Sequence, residues 1–277
     1  MKELPDNSVD LIITSPPYWD IKKYHQDGGQ NPWFGKGKVK THSLEQEKDF
    51  GRSSSYEEYI ANCLLTWKEC FRVLKPGRKF CLNVPSVSKK NKQPYSISYD
   101  LRKNILEQTQ FKFFNLFVWH KKSRPFPYMS DWSFPLPGRI LSWFSLTEDL
   151  IVFTKPGHPQ ENYDQEKAAK SSLTQERLLQ IINPVWNVYV PRNKKSEHSA
   201  VMSLEVCSRL IEAYSFWGDL VLDPFCGTGT TLHAAQQLGR HWVGYELYQH
   251  YQTVIERKLG LTQARTNQNP TTSEFTY

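Results

Sequence analysis

Short apolar runs alternate along the chain with longer segments whose apolar residues recur at helical spacing. A run of a few apolar residues between polar turns predicts a buried strand. The runs that meet this pattern are residues 9–13, 79–84, 115–120, 149–154, 220–222 and 241–246. Strands separated by helix-length segments are typical of βαβ units. The pattern therefore predicts an α/β fold with a doubly wound, mostly parallel sheet.

One helix carries a clear start signal. Ser55 and Glu58 have the spacing of a capping box. Apolar residues continue from there at helical spacing, and the "KPG" at residues 75–77 is expected to end the helix. Further helices are predicted over residues 173–182, over 198–215 and from Thr230.

Two segments interrupt the pattern of strands and helices. Residues 20–54 are polar and rich in lysine ("GKGKVK"), and are predicted to form a long insertion. The pattern weakens again over residues 156–197, which are predicted to form a small separate lobe. Residues 1–155 and 198–262 are then the two halves of one domain. Residues 263–277 are polar and are predicted to be a flexible tail.

Charge and cysteine content narrow the class of protein. A formal charge of +7 and a pI near 9.0 suit a polyanionic partner such as nucleic acid. The five cysteines form no Cys-x-x-Cys pair, which argues against a disulfide framework or a zinc site. No apolar run approaches ~20 residues, and the first residues, "MKELPDNSVD", lack the apolar stretch typical of a signal peptide. We therefore expect no membrane and no metal partner, and a reducing compartment, the cytoplasm of a bacterium or the nucleus of a eukaryote.

The first candidate for chemistry is "TSPPYWD", which directly follows the first predicted strand. Two consecutive prolines end the strand, since proline lacks a backbone N–H and fixes φ. The result is a rigid tip that carries a hydroxyl, free carbonyl groups and an aromatic ring. Such a tip could hold a planar ligand that forms hydrogen bonds. A purely structural strand end is the alternative.

The second candidate is the turn in "LDPFCGTGTT", between a predicted strand and a predicted helix. Gly227 and Gly229 allow a tight turn and the close approach of a ligand to the backbone. Glu246 ends the next predicted strand, where an acid grips a ribose in nucleotide-binding α/β folds. Leu232 replaces the third glycine of G-x-G-x-x-G. The turn therefore favours a nucleoside without phosphates over an NAD-type dinucleotide.

Taken together, "TSPPYW", "DPFCGTGTT" and "VGYE" resemble, in this order, the β-class amino-group DNA methyltransferases. The resemblance extends through "RVLKPGRKFCLNV", "FVWHKKSRP", "EDLIVFTKPG" and "EHSAVMSLEVCSRLI", and so spans most of residues 8–259. It implies a Rossmann-like methyltransferase fold, S-adenosylmethionine as cofactor and DNA as partner. It also makes residues 1–155 the catalytic half and 198–262 the cofactor-binding half.

By this resemblance, Ser15, Pro16, Pro17 and Tyr18 are the catalytic residues. The Ser15 hydroxyl and the Pro16 carbonyl would accept the hydrogens of an exocyclic amine and localise its lone pair for attack on the methyl group. Tyr18 would offer a stacking face to a base flipped out of the duplex.

The resemblance also assigns the cofactor site. The residues it places there are Asp223, Pro224, Phe225, Gly227, Gly229 and Thr230, with Glu246 on the ribose and His198 near the methionine moiety. In this chain Ser199 stands where the family has a proline, which puts the role of His198 in doubt. Cys226 is expected to be a packing residue. Relatives carry a further strand before the equivalent of Leu4, so Met1 is expected within the helix that follows it.

A serine at the first position of the catalytic motif is associated with N4-cytosine targets in this family, which favours cytosine. N6-adenine remains the alternative within the class. A catalytically silent DNA-binding module with the same fold is the alternative outside it, and methylation of RNA or protein also stays open. A C5-cytosine enzyme is disfavoured, because its nucleophilic cysteine usually follows a proline and no Pro-Cys pair is present.

Basic clusters mark candidate DNA contacts, since lysine and arginine neutralise phosphates. The residues selected are Lys36, Lys38, Lys121, Lys122, Arg124, Arg192, Lys194 and Lys195. The family places target recognition before the "EHSAV" segment, which corresponds here to the predicted lobe. The insertion 20–54 is expected to share that role.

Overall fold

The fold is built around a single large sheet. The computed structural model describes residues 1–19, 49–90, 93–122, 147–159, 164–190, 202–261 and 275–276. The strands are β1 (Val9–Thr14), β2 (Leu74–Pro85), β3 (Ser88–Lys90), β4 (Gln93–Tyr95), β5 (Lys112–Lys122), β6 (Thr147–Thr154), β7 (Val185–Tyr189), β8 (Leu220–Asp223), β9 (His241–Tyr245) and β10 (Phe275–Thr276). The helices are α1 (Tyr56–Val73), α2 (Ile97–Gln108), α3 (Gln165–Lys170), α4 (Gln175–Ile182), α5 (Leu204–Tyr214), α6 (Thr230–Gln237) and α7 (Gln252–Lys258).

Eight of these strands form the sheet, in the order β10-β9-β8-β1-β2-β6-β5-β7. Among them β6 alone is antiparallel to its neighbours, β2 and β5. β1 lies between β2 and β8 and is parallel to both. The carboxyl ends of β1 and β8 therefore meet at one edge of the sheet, although they are far apart in the chain.

Helices cover both faces of the sheet, which confirms the predicted doubly wound α/β fold. α1 and α2 pack on one face around Trp67, Phe80 and Phe153. α5 and α6 pack on the other, against a cluster that contains Val152 and Trp186. Successive residues such as Val152 and Phe153 belong to opposite clusters, as the alternation along a buried strand requires.

The predicted start of α1 is confirmed, with one change of partner. The Ser55 hydroxyl accepts a hydrogen bond from the Glu58 amide at 3.0 Å. The Glu58 carboxylate accepts instead from the Ser54 amide at 2.7 Å, one residue before the cap. Both acceptors satisfy amides near the helix start that have no intrahelical partner.

The structure describes part of the predicted lobe, 156–197, and this part is joined to the main sheet. β7 lies in this segment and pairs with β5, with Trp186 beside Trp119. Trp186 is fully buried in the core. The sequence signal was weak because β7 is an edge strand in which only Trp186 and Val188 face inward. The domain boundaries at residues 155, 197 and 262 stay predictions.

Several predicted ends also differ from the structure. α4 begins at Gln175, after a short helix, α3, that was not predicted. α5 begins at Leu204 rather than at residue 198, and residues 191–201 lie outside the described part. The residues before β1 form turns instead of a helix, with Asn7 at a φ of 54°.

Two residues of the predicted tail, 263–277, belong to a strand. Phe275–Thr276 adds to the sheet as β10, parallel to β9, because the edge of β9 offers unpaired backbone groups. Residues 262–274 lie outside the described part. Among the described residues, no helix combines the length and the apolar composition needed to cross a membrane.

A buried ionic cluster ties β1 to β8 near their amino ends. Asp10 accepts from the Leu220 amide at 2.9 Å and from Lys75 Nζ at 2.8 Å. The guanidinium of Arg78 lies 3.4 Å from Asp10 and 3.2 Å from Asp219. Both carboxylates are almost completely buried. Arg78 is therefore the cation that the two acids share.

Replacing Arg78 by methionine is expected to lower the free energy of unfolding by about 1.5–3 kcal/mol, because each buried carboxylate loses one charged donor while Lys75 and Lys167 remain. Urea unfolding measures the change. Lys170→Met is the control, since the ion pair of Lys170 with Glu166 lies on the surface. Equal losses for the two variants would contradict the assigned role of Arg78.

Candidate active site

A hydrogen bond joins the two motifs at the edge of the sheet. The hydroxyl of Thr14, the last residue of β1, donates to Asp223 Oδ1 at 2.7 Å, and both side chains are buried. Asp223 Oδ1 also accepts from the Phe225 amide at 3.1 Å. Burial raises the pKa of the Asp223 carboxyl to about 6. Sequence reasoning did not select Thr14, because only the pairing of β1 with β8 gives it this partner.

The Ser15 hydroxyl forms a hydrogen bond with the tyrosine of the same motif. Ser15 Oγ lies 2.9 Å from the Tyr18 hydroxyl. Ser15 is partly buried, and Pro16 beside it is buried. Tyr18 is only 4% exposed and belongs to the core, so the structure places its hydroxyl at Ser15 and leaves little of its ring open. The expected stacking face on Tyr18 stays a prediction.

The two glycines of the turn have different tasks. Gly229, at a φ of 73°, precedes α6, and a Cβ there would lie 3.1 Å from Ile255 Cγ2. Gly227 has a φ of 52°, and a Cβ there would meet no atom of the described residues within 4 Å. Gly229 therefore serves packing, whereas Gly227 presents its backbone to open space. A ligand can approach the chain closely at Gly227.

Glu246 closes the turn from the end of β9. Its Oε2 accepts from the Gly227 amide at 2.8 Å, and its Oε1 from the Tyr248 amide at 2.9 Å. Burial raises the pKa of the Glu246 carboxyl to about 7, and the nearby charge of Asp223 adds to the shift. The acid is thus fixed beside the glycine turn and titrates near neutral pH.

Cys226 behaves as a packing residue. A Cβ on Gly244 of β9 would lie 3.0 Å from its sulfur, so the turn rests directly on the backbone of that strand. Burial raises the pKa of the Cys226 thiol well above its ordinary value. The side chain is accordingly a neutral thiol and not a nucleophile.

The other predicted cofactor residues lie around the same turn. Pro224 is buried directly after Asp223, and the Phe225 ring meets Trp67 edge-on at 6.1 Å. Thr230 begins α6, and its hydroxyl accepts from Lys258 Nζ at 3.3 Å. His198 lies outside the described residues.

A further element of the site was missed. Residues 49–54 belong to the predicted insertion, yet the structure places them against both motifs. Phe50 meets Phe225 edge-on, with 5.9 Å between the ring centroids. The Trp19 indole N–H donates to the Ser53 carbonyl at 2.9 Å. The polar composition of residues 20–54 gave no signal for these contacts.

The candidate DNA contacts are only partly described. Lys121 forms an ion pair with Glu148, a buried acid that also accepts from Asn83 Nδ2 at 2.6 Å. Lys122 is exposed, with its ammonium 5.7 Å from the centre of the Tyr189 ring. Lys121 therefore has an internal partner, whereas Lys122 is open to solvent. The remaining candidates, Lys36, Lys38, Arg124, Arg192, Lys194 and Lys195, lie outside the described residues.

Within the described ranges, no group of histidine, cysteine, aspartate and glutamate side chains has the arrangement of a metal site.

Known proteins are similar in sequence to this chain over most of its length. The Type II methyltransferase M.MjaI of Methanocaldococcus jannaschii is 28% identical over 284 residues, covering 96% of this chain and 89% of that protein. The Type II methyltransferase M.MthZI of Methanothermobacter thermautotrophicus is also 28% identical, covering 97% of this chain and 76% of that protein.

Solved structures agree with these sequence matches. A protein of Thermus thermophilus described as a putative DNA modification methylase, solved in complex with S-adenosyl-L-methionine, has a TM-score of 0.67 and 27% identity. The match covers 94% of this chain and 88% of that one. PvuII DNA methyltransferase (cytosine-N4-specific) has a TM-score of 0.65 at 17% identity, covering 93% and 81%. The likeness to PvuII methyltransferase concerns the fold alone.

The N6/N4 methyltransferase family, described as DNA methylase, matches residues 9–257. This range contains the proline motif, the glycine turn and Glu246. The chain therefore belongs to the N6/N4 DNA methylase family.

Proposed function

We propose that this DNA methylase transfers a methyl group from S-adenosylmethionine to the exocyclic N4 amine of a cytosine flipped out of DNA. The observation that carries the proposal is the Thr14–Asp223 hydrogen bond at 2.7 Å. This bond places the Ser15 hydroxyl, which can bind an amine, at the same edge of the sheet as the glycine turn, which can bind a nucleoside. Ser15, in place of an aspartate or asparagine, favours cytosine over adenine.

The residues around the turn fit the cofactor. Gly227 leaves its backbone open to a ligand, and the Glu246 carboxylate is suited to accept hydrogen bonds from the two ribose hydroxyls. Asp223, Pro224, Phe225, Gly229 and Thr230 form the remainder of the turn. When bound, S-adenosylmethionine supplies a methyl group made electrophilic by its sulfonium.

The proline motif can prepare the target amine. That amine is a weak nucleophile because its lone pair is delocalised into the ring. Ser15 Oγ can donate its own hydrogen to the Tyr18 hydroxyl at 2.9 Å, which leaves its lone pairs free to accept a hydrogen from the amine. The Pro16 carbonyl can accept the second hydrogen. The amine nitrogen then approaches tetrahedral geometry, and catalysis consists of positioning and preorganised polarity.

DNA contacts are proposed on the basic side chains. Lys122 is exposed at the end of β5 and can contact a phosphate. Lys121 can do so only in competition with Glu148. Recognition of the DNA sequence is proposed for residues 156–197, with a share for the insertion 20–54.

The first prediction about function concerns the methylated base. Long unmethylated DNA is incubated with the protein and methyl-labelled cofactor and is then digested to nucleosides. Mass spectrometry should detect labelled N4-methylcytosine. N6-methyladenine in its place would overturn the cytosine assignment and leave the amine mechanism intact. Labelled 5-methylcytosine would contradict the mechanism itself, because an attacking amine cannot methylate carbon. RNA and protein substrates in the same assay should remain unlabelled.

The second prediction separates catalysis from cofactor binding. Ser15→Ala should lower turnover by about 10²-fold, because it removes a polar group that acts on the reacting amine. Its affinity for S-adenosylhomocysteine, measured by calorimetry, should stay within about twofold of the wild type. Glu246→Ala and Asp223→Ala should chiefly weaken that affinity. Ser8→Ala is the control, since the Ser8 hydroxyl donates to the Pro5 carbonyl on the surface. A matching loss of cofactor affinity in Ser15→Ala would refute the assigned role.

The third prediction concerns pH. The pKa of Glu246 is raised to about 7, so the ionised form that best accepts the ribose hydroxyls is lost as the pH falls through neutrality. Affinity for S-adenosylhomocysteine should therefore be about tenfold weaker at pH 6 than at pH 8. Calorimetry at several pH values tests this. In Glu246→Gln the midpoint near pH 7 should disappear. If that variant keeps the same midpoint, another group is responsible.

A further inference from the structure

A short segment that sequence reasoning left inside an insertion touches both halves of the site. We name the residues Asp49–Ser53 the brace. On the side of the proline motif, the Trp19 indole N–H donates to the Ser53 carbonyl at 2.9 Å. A methyl group on Gly51 would lie 3.2 Å from the Tyr18 carbonyl oxygen and 3.5 Å from Pro17 Cβ. The brace therefore lies directly against the tip that carries Ser15.

On the cofactor side, the brace contacts Phe225 and Tyr248. The Phe50 ring meets Phe225 edge-on, with the ring planes at 74°. The Tyr248 hydroxyl donates to Asp49 Oδ2 at 2.6 Å. The Tyr248 amide in turn donates to Glu246 Oε1 at 2.9 Å. Tyr248 thus links the brace to the acid proposed to bind the ribose.

Asp49 is the buried residue that anchors the brace through its carboxylate. Its side chain is 3% exposed, and a buried carboxylate is costly unless its oxygens are paired. Oδ1 accepts from the Gly51 amide at 2.9 Å, and Oδ2 accepts from Tyr248. Both oxygens are therefore committed: Oδ1 fixes the shape of the brace, and Oδ2 binds Tyr248 on the cofactor side and lies 3.9 Å from Arg52 Nε within the brace.

We propose that Asp49 and Tyr248 are positioning residues, which hold the Ser15 tip in register with the cofactor turn through the brace. Neither residue needs to touch the reacting atoms. Methyl transfer requires the amine and the methyl group in line, and a displacement of about 1 Å can cost about 10²-fold in rate. The inference rests on the proposed roles of Ser15 and Glu246 but not on the choice of base.

The test compares two tyrosines with the same chemistry. Tyr248→Phe removes the hydroxyl that binds Asp49. Tyr56→Phe removes a hydroxyl that donates to Asp100 at 2.8 Å, between α1 and α2, and is the matched control. The assay measures the rate of a single turnover with saturating methyl-labelled S-adenosylmethionine and long unmethylated DNA, counting label on any base. Calorimetry with S-adenosylhomocysteine and the melting temperature are recorded for each variant.

Tyr248→Phe should slow the single turnover about tenfold, as expected for the loss of a hydrogen bond to a charged acceptor that fixes geometry. Tyr56→Phe should change the rate by less than about twofold, even where the two melting temperatures fall equally. Asp49→Asn keeps one carbonyl acceptor and should retain more activity than Asp49→Ala. Gly51→Ala should also slow turnover, because its methyl group presses on the Tyr18 carbonyl.

The proposal is overturned if the single-turnover rate of Tyr248→Phe stays within twofold of the wild type. It is also overturned if that rate matches the rate of Tyr56→Phe. The same holds if Asp49→Asn and Asp49→Ala are equally active. These outcomes leave the base assignment untouched, since label is counted on any base. Conversely, label on adenine would overturn the cytosine assignment and leave the brace intact.

Discussion

The hydrogen bond between Thr14 and Asp223 joins residues that are 209 positions apart in the chain, and the geometry of the site depends on it. Thr14 directly precedes the serine of the proline motif, and Asp223 begins the glycine turn. The bond can form because β1 and β8 are parallel neighbours in the sheet, with Ile12 beside Leu222. Backbone pairing thus sets the distance between the two motifs, and the buried hydroxyl and carboxylate fix the final alignment.

Three acidic residues at this edge of the sheet form the same kind of local hydrogen bond. Asp49, Asp223 and Glu246 each accept a hydrogen bond from the backbone amide two residues later. Such a bond stabilises a tight turn without help from a helix or a strand. It also satisfies part of a carboxylate that burial would otherwise penalise. The site is therefore built from three short turns, each made rigid by its own acid.

Much of the sheet could be predicted, because strands buried on both faces read as apolar runs. Residues 9–13 and 149–154 were recognised in this way. β7 was missed because an edge strand buries only alternate residues, and β10 because two residues carry no periodicity. The two motifs were identified from their composition and order. The contacts of Thr14 and Asp49 could not be predicted, since they join segments whose proximity only the folded sheet creates. The burial of Tyr18 has the same origin, because its ring packs into the core cluster on one face of the sheet.

The central place of β1 has a consequence for how the protein acquires its structure. During synthesis β1 and its partner β2 leave the ribosome well before β8, because β8 follows β1 by about 200 residues. The other edge of β1 has no partner until β8 leaves the ribosome. Contacts between such distant segments form slowly, and unpaired strand edges invite wrong pairing in the meantime. The nascent chain therefore carries an unpaired strand edge from the emergence of β1 until that of β8, and chaperone binding at that edge would protect it during this interval.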